Sequence, residues 1–186
     1  MIRKLLDKVF GRNSSASEPA VKLTVIPGKR HGVRRNQINP CALKITQQLQ
    51  SAGFAAYIVG GAVRDLLLGL IPKDYDVATN ATPEEVHKLF RRSRIIGRRF
   101  RHVMCGAETV EVSTFRGPSA DDDEDSIAVP LTDQHGRLLR DNVFGTQEED
   151  ALRRDFTINA LYFDPVKEEI LDYLNGFKDI NAKEMR

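Results

Sequence analysis

Hydrophobic residues along this chain fall into short groups that have either helical or strand spacing. Apolar positions at helical spacing within residues 42–52 predict a helix that begins at Asn39 and Pro40 and ends at Gly53. The apolar run 54–59, which is bounded by glycine, predicts a buried strand. The first strong pattern is therefore a helix followed by a strand.

Further helix boundaries are marked by polar residues. Thr82 and Glu85 have the spacing of a capping box, as do Thr146 and Glu149, so both pairs predict helix starts. A shorter apolar pattern after residue 62 predicts another helix, which is closed by Gly69.

Strand patterns occupy much of the remaining chain. Residues 101–105 and 109–115 predict one hairpin around a glycine, and residues 161–163 and 170–173 predict a second around an Asp-Pro turn. A further short strand or extended contact is predicted at 23–26. Helices and strands thus both recur along the chain.

Two carboxylates, Asp74 and Asp76, lie one residue apart. In a strand, the period of two directs both acids to one face and sends Tyr75 and Val77 to the other. Such close acids usually require a divalent cation, and their hard oxygen ligands suit Mg²⁺, which shares its coordination sphere with substrate phosphates. Taken alone, a solvated turn is the alternative.

A glycine turn, Gly60-Gly61, precedes the acids and is followed by the cation Arg64. Alone, it indicates a tight strand-to-helix connection more often than a ligand site. However, Lys73 follows Gly61 by twelve residues, which leaves room for one short helix before the acidic strand. Together the two motifs predict a metal site beside a phosphate site.

A third acid, Glu111, lies in the second strand of the first predicted hairpin. There Val110, Val112 and Thr114 share one face, whereas Glu111 and Ser113 share the other. Next to the aspartate pair, Glu111 would complete a metal-binding triad. A solvent-facing strand glutamate is the alternative.

Composition places the chain among soluble globular proteins. Its 186 residues suffice for one domain, with 41% hydrophobic residues and a mean hydropathy of −0.37. No apolar run approaches the ~20 residues that cross a bilayer, and the N-terminus has no signal-type apolar core. Cys41 and Cys105 do not make a disulfide framework, so we expect a reducing cytoplasm. The four histidines lack metal-ligand spacing.

Charge is distributed unevenly along the chain. Residues 1–36 carry nine Lys or Arg against two acids, while the remainder carries 19 against 24. This predicts either a basic arm that reaches a polyanionic partner or only a solvated linker. The five acids at 121–125 predict a mobile loop over residues 117–135 and lack the glycine and glutamate of a calcium loop.

Two motifs occur in a specific order. Residues 59–69 read Val-Gly-Gly-Ala-Val-Arg-Asp-Leu-Leu-Leu-Gly and precede Lys-Asp-Tyr-Asp at 73–76, and residues 153–161 read Arg-Arg-Asp-Phe-Thr-Ile-Asn-Ala-Leu. In this order they resemble the head domain of the tRNA nucleotidyltransferase/poly(A) polymerase family, among the polymerase-β-like nucleotidyltransferases. The resemblance covers the chain from about Val25 to its end.

Within that family, residues 95–101 and 140–145 resemble the polyadenylating branch, as does the basic arm. CCA-adding members usually have a less arginine-rich segment at the first of these positions. The resemblance therefore favours polyadenylation, with CCA addition to tRNA as the alternative.

The resemblance implies an α+β fold in which a small mixed sheet is flanked by helices, with the carboxylates at one edge of a cleft. Asp74 and Asp76 would hold Mg²⁺, and Glu111 would be the third acid. Asp155 joins these catalytic acids because the family motif carries it. The metals would activate the RNA 3′-hydroxyl and stabilise charge on the α-phosphate and the leaving pyrophosphate.

The same resemblance implies a site for ATP as substrate. Backbone N–H groups of Gly60 and Gly61 would face the triphosphate, and Arg64 would neutralise it. Arg154, together with Asp155, would contact the nucleotide. The implied partners are ATP and an RNA 3′ end, with no membrane.

The implied organisation is a basic, partly disordered arm at 1–36 and a head domain at 37–186. Family members continue into neck and body domains that select the base and grip RNA, and the sequence stops where these should begin. We therefore expect residues 1–186 alone to be weakly active or inactive.

Two other classes compete with this interpretation. Metal-dependent glycosyltransferases also use an Asp-x-Asp motif, but they need neither the glycine turn nor the Arg-Arg-Asp motif. A non-catalytic RNA-binding module could use the basic arm and the arginines. Such a relative would be expected to have lost an acid of the triad, and none is missing here.

Overall fold

A computed structural model describes residues 21–96, 100–105, 107–117 and 144–186, with no description of the side chains at 95, 96, 100 and 101. Apart from Gly117, the predicted acidic loop 117–135 lies outside the described residues, and so does the part of the predicted arm before residue 21.

Eight strands and six α-helices make up the described part of the chain. In chain order these are β1 (Thr24–Pro27), α1 (Gly28–His31), α2 (Pro40–Ser51), β2 (Ala56–Val59), α3 (Gly61–Leu67), β3 (Asp76–Thr79), α4 (Pro83–Leu89), β4 (Ser93–Ile96), β5 (Phe100–Cys105), β6 (Glu108–Thr114), α5 (Gln147–Leu152), β7 (Leu161–Asp164), β8 (Glu169–Asp172) and α6 (Gly176–Ala182). Single 3₁₀ turns occur at Arg35–Gln37 and Thr157–Asn159.

All eight strands form one sheet in the order β1-β8-β7-β2-β3-β6-β5-β4. Strands β3 and β6 are parallel, whereas the other neighbouring pairs are antiparallel. The two predicted hairpins are β5–β6 and β7–β8. The predicted α+β class with a mixed sheet is therefore confirmed.

The helix starts follow the local signals in the sequence. Asn39 caps α2 by accepting the backbone N–H of residue 41 at 2.8 Å. Both capping boxes form, because the N–H of Thr82 donates to Glu85 at 2.8 Å and that of Thr146 donates to Glu149 at 2.6 Å. These boundaries depend on residues within one turn, which explains why sequence alone predicts them.

The sheet has a helical face and a more open face. On the helical face, α2, α3 and α4 bury the main core, which includes Ile45, Leu49, Val63, Val86, Ile58 and Phe163. On the opposite face a smaller cluster surrounds Tyr162 and includes Tyr57, Phe115, Ala151 and Tyr173. Because residues alternate along each strand, the polar side chains at 76 and 111 lie on this second face.

The predicted boundary at residue 36 does not coincide with a boundary in the structure. Strand β1 pairs with β8 along four residues, so the segment from residue 24 belongs to the sheet. Arg35 binds the β7–β8 turn: its side chain donates to the carbonyls of Pro165 and Val166 at 2.9 and 3.1 Å, and its N–H donates to Glu168 at 2.9 Å. Arg34 also contacts Glu168, at 3.5 Å. These arginines hold a turn, so the described part of the predicted arm is docked.

The two cysteines also differ from the sequence-based expectation. Cys41 in α2 and Cys105 at the end of β5 are joined by a disulfide, with their Cα atoms 5.8 Å apart. The bond links a helix to a hairpin across 64 positions. Such a pairing depends on the tertiary packing of distant elements, which spacing along the sequence does not show.

Candidate active site

Backbone register fixes two of the predicted acids beside each other. Parallel pairing of β3 with β6 places Asp76 directly opposite Glu111. Antiparallel pairing of β6 with β5 then places His102 opposite Glu111, and their side chains approach to 3.5 Å. The more open face of the sheet therefore carries a polar row formed by Asp76, Glu111 and His102.

The pKa of Asp76 is raised above its ordinary value. Although the residue is exposed, surrounding protein atoms on the sheet face partly desolvate its carboxylate, and this is the largest cause. The negative charges of Glu111 and Asp74 add to the shift, while Arg154 and His102 oppose it. Mutual repulsion of this kind is what a divalent cation would relieve.

Asp74 lies just before the strand. The predicted strand at 74–77 begins at Asp76, and Asp74 is exposed in the preceding segment. Val77 is buried, as the predicted alternation requires. Among the described residues, no three Asp, Glu, His or Cys side chains gather closely enough to hold a metal ion by themselves. The acids thus share one region without converging as a closed triad.

The glycine turn lies beside Asp76. Gly60 has φ +71° and ψ −141°, a conformation that strongly favours glycine. A Cβ placed on Gly60 would lie 3.7 Å from Nη1 of Arg154 and 3.8 Å from Oδ2 of Asp76. The turn, one acid and the distant Arg-Arg-Asp motif therefore meet at a single point.

Arg64 is held against the same turn. Its Nη2 lies 2.7 Å from Oδ1 of Asp65, and its Nη1 donates to Oδ1 of Asn159 at 2.9 Å. A Cβ placed on Gly61 would lie 3.4 Å from Nη2 of Arg64. The guanidinium thus folds back over the start of α3, with Asn159 supplied by the Arg-Arg-Asp motif.

Arg154 is anchored by a buried network. Its Nη2 donates to Oδ2 of Asp150 at 3.0 Å and its Nε to the hydroxyl of Tyr162 at 3.2 Å. That hydroxyl donates to Asp150 at 2.8 Å, while Arg153 reaches the other oxygen of Asp150 at 3.2 Å. The guanidinium also lies 5.3 Å from the centroid of the Tyr162 ring. These contacts fix the orientation of the Arg154 guanidinium.

The pKa values within this network follow from its charges. Burial opposes ionisation of Asp150, but Arg154, the Tyr162 hydroxyl and Arg153 outweigh burial and hold the pKa of Asp150 below its usual range. Burial raises the pKa of Tyr162, so its hydroxyl remains a donor. Asp150 is therefore a carboxylate whose negative charge orients Arg154.

Asp155 does not join this group. It is exposed, and its carboxylate accepts the backbone N–H of Phe156 at 3.0 Å. The charges that shift the pKa of Asp76 come from the four residues named above. The catalytic role predicted for Asp155 therefore rests on the motif alone.

Sequence reasoning missed four residues of the site: Asp150, Asn159, Tyr162 and His102. Asn159 lies within the Arg-Arg-Asp motif and Asp150 lies three residues before it. The two adjacent arginines indicate that a nearby acid would pair with them if they were buried. His102 and Tyr162 become visible only through strand register.

A sheet whose glycine turn leads through one helix into an acidic strand is the arrangement of nucleotidyltransferase head domains. Solved structures support that class. The chain matches the Bacillus stearothermophilus CCA-adding enzyme in complex with CTP with a TM-score of 0.60 and 36% identity, over 80% of this chain and 34% of that one.

The chain belongs to the poly(A) polymerase head-domain family, whose model matches residues 56–186. It is 50% identical to poly(A) polymerase I of Salmonella typhi over 96% of this chain and 39% of that protein. It is 52% identical to poly(A) polymerase I of Escherichia coli O6:H1 over 93% of this chain and 38% of that protein. The chain thus spans about two fifths of the length of these relatives. Within its described residues, no helix has the length and apolar character to span a membrane.

Proposed function

We propose that this chain is the catalytic head of an enzyme that transfers AMP from ATP to the 3′-hydroxyl of RNA, without a template and with release of pyrophosphate. One observation carries the proposal. Register sets Asp76 opposite Glu111, while a Cβ on Gly60 would lie 3.7 Å from Arg154 and 3.8 Å from Asp76. Acids that could bind a metal and cations that could bind a triphosphate therefore lie close together on one face of the sheet.

The donor set fits Mg²⁺. This ion is commonly held by one or two carboxylates together with substrate phosphates, so a closed cluster of three protein ligands is not required. Asp74 and Asp76 would hold it, with Glu111 as the third acid. Burial is the main cause of the raised pKa of Asp76, and the negative charges of Glu111 and Asp74 add a repulsion that such binding would remove. When bound, the ion stabilises charge on the attacking and leaving oxygens.

The chain's own residues position ATP. Backbone N–H groups of Gly60 and Gly61 face the triphosphate, and Arg64 and Arg154 neutralise it from either side of the turn. Because Asp65 and Asn159 fix Arg64 while Asp150 fixes Arg154, both cations are oriented before the nucleotide binds.

The proposed reaction is an in-line displacement. The 3′-oxygen of RNA forms a new bond to the α-phosphorus, the bond from that phosphorus to the α–β bridging oxygen breaks, and pyrophosphate and the hydroxyl proton leave. Asp155 stays among the proposed catalytic acids on the strength of its motif. The enzyme would act in RNA processing in the cytoplasm, where Cys41 and Cys105 would be reduced rather than disulfide-bonded.

CCA addition to tRNA is the second candidate, supported by the 36% identity to a CCA-adding enzyme that binds CTP. Polyadenylation is favoured because identity to the poly(A) polymerases reaches 50–52% over nearly the whole chain. A non-catalytic RNA-binding module is a remote third candidate, since Asp74, Asp76 and Glu111 are all present.

Product analysis tests these candidates directly. We would fuse this chain to the C-terminal region of the Salmonella typhi relative and supply RNA with each labelled nucleotide in turn. Long tails from ATP alone support polyadenylation, whereas addition of C and then A to tRNA-like ends supports CCA addition. Asp74→Ala or Asp76→Ala should abolish either activity without loss of folding, and retained turnover would eliminate the proposed site.

The same assay applies to residues 1–186 alone. We expect weak activity or none, because the chain spans only 39% and 38% of the two poly(A) polymerases compared above. Robust ATP-specific tailing by the chain alone would refute this expectation.

A further inference from the structure

The polar row on the open sheet face continues past the acids to the edge of the sheet. Arg94 on β4 lies opposite His102, which lies opposite Glu111. Two residues earlier, the carbonyl of Arg92 accepts the N–H of Met104, which extends the same ladder. Arg94 on β4 and Arg92 in the turn just before it are here called the cationic edge, and they lie beyond the acids at the edge of the sheet.

The burial of Ser93 sets the orientation of Arg94. Ser93, between the two arginines, is 9% exposed and contacts His87 of α4 at 2.9 Å, so it faces the helical side. By strand alternation, Arg94 faces the open side. Both arginines are exposed. Within the described residues neither has an ion-pair partner, in contrast to Arg34, Arg64 and Arg154.

The cationic edge lies on the opposite side of Asp76 from the groups assigned to ATP. Gly60 follows β2 on one side of β3, and β6, β5 and β4 lie on the other. In an in-line displacement, the attacking hydroxyl enters opposite the leaving pyrophosphate. An acceptor strand would therefore approach from the side of β4.

We propose that Arg92 and Arg94 bind backbone phosphates of the acceptor RNA a few nucleotides upstream of its 3′ end. This inference rests on the proposed function. Three strand spacings separate β3 from β4, which is ~14 Å. A stacked strand that rises ~3.4 Å per nucleotide places the contacted phosphates no more than about four nucleotides from the 3′ end. Cations at this distance would offset the repulsion between phosphates and the acids.

RNA binding by residues 1–186 tests the cationic edge. The probe is a fluorescein-labelled twelve-nucleotide oligoadenylate, measured by anisotropy at several salt concentrations. For two lost contacts on single-stranded RNA, the slope of log affinity against log salt should fall by about 1.4, and affinity at 0.1 M salt should fall about 25-fold. The variant is R92Q/R94Q. Its matched control is K44Q/K88Q, because both lysines are exposed on helices of the other face.

Several outcomes decide the proposal. R92K/R94K should retain most of the affinity, because either cation pairs with phosphate, and the dinucleotide ApA should bind R92Q/R94Q and wild type equally. Unchanged oligoadenylate binding by R92Q/R94Q, an equal loss in K44Q/K88Q, or no binding by the wild-type chain would overturn it. Thermal unfolding of each variant shows whether a loss reflects misfolding.

The proposed function is assessed separately by Mg²⁺-dependent binding of ATP to the same proteins. ATP affinity should be equal in wild type and R92Q/R94Q. If the wild-type chain bound RNA through the cationic edge but did not bind ATP, the proposed function would fail and the RNA surface would stand.

Discussion

Replacing Asp150 with Asn removes a buried negative charge while preserving side-chain volume. The Asp150 side chain is 2% exposed and faces the Tyr162 hydroxyl at 2.8 Å, Arg154 at 3.0 Å and Arg153 at 3.2 Å. An amide can still accept one hydrogen bond, but it leaves the Arg154 guanidinium without its counter-charge.

The structure sets the size of the expected loss. Breaking a buried ion pair by removal of one partner costs about 3–5 kcal/mol. Arg153 is 30% exposed and is therefore screened by solvent, so its share is small, whereas the Arg154 side chain is only 18% exposed. We expect a loss of about 3 kcal/mol, which for a chain of this size lowers Tm by roughly 6–12 °C.

The pH dependence of stability should change in a defined direction. The pKa of Asp150 is depressed in the folded state. Its contribution is therefore present above the pKa of the unfolded chain and is lost as pH falls through the folded value. Asp150→Asn should lose less stability on acidification than the wild type, which urea denaturation at several pH values measures.

A measurement of ATP binding distinguishes the effect of Asp150→Asn on the orientation of Arg154 from its effect on stability. With Arg154 released, the KM for ATP in the fused enzyme should rise, and Asp150→Glu should restore part of the affinity. Asp155→Asn is the control for stability, because this exposed acid should change the unfolding free energy by less than ~0.5 kcal/mol. An Asp150→Asn protein with wild-type stability and unchanged ATP affinity would refute the anchoring role.

Three further predictions concern single positions. Asp76→Asn should abolish transfer yet stabilise the fold by about 0.2–1 kcal/mol at pH 7, because it removes repulsion from the neighbouring acids. The pKa of Asp76 is raised in the folded state, so the folded wild-type protein loses stability as pH rises through that value. Urea denaturation measures the gain, and no gain at pH 7 would contradict the repulsion. Gly60→Ala should cost about 1–3 kcal/mol; the cause is backbone strain at positive φ and not a steric clash, because the new Cβ would make only ordinary contacts of 3.7–3.8 Å. Gly61→Ala should cost less in the same denaturation assay, because the new Cβ would meet the flexible side chain of Arg64. Asp172→Ala should cost about 2–4 kcal/mol because this buried acid accepts three backbone N–H groups at the start of α6, and a Tm within 2 °C of wild type would contradict that role.

Local signals in the sequence were sufficient to predict much of the fold. The capping boxes at Thr82 and Thr146, the Asn39 cap and both hairpins depend on residues close in sequence, and all are present. The face assigned to Glu111 also follows from alternation within one strand. The position of Asp76 beside Glu111 could be expected only from the family resemblance, because the β3–β6 pairing joins residues 35 positions apart.

Other features depend on tertiary packing and could not be predicted from sequence spacing. Asp150 occurs among acids in the first turn of a helix, where solvent exposure is the ordinary expectation. Its burial follows from docking of α5 onto the Tyr162 cluster. The Cys41–Cys105 disulfide and the addition of β1 to the sheet have the same origin, since each joins segments far apart in the chain.

The parallel pairing of β3 with β6 makes the proposed catalytic centre far more sensitive to the length of these strands than to the composition of the loops. Asp76 and Glu111 lie beside each other because they are paired residues of the β3–β6 ladder. A deletion in β6 that shifts its pairing by one residue would turn Glu111 towards the hydrophobic core and bring a valine to the open face of the sheet. Insertions in the connections outside these two strands leave their residue pairing unchanged. Homologous chains can therefore differ in those connections while the spacing of the two acids is preserved.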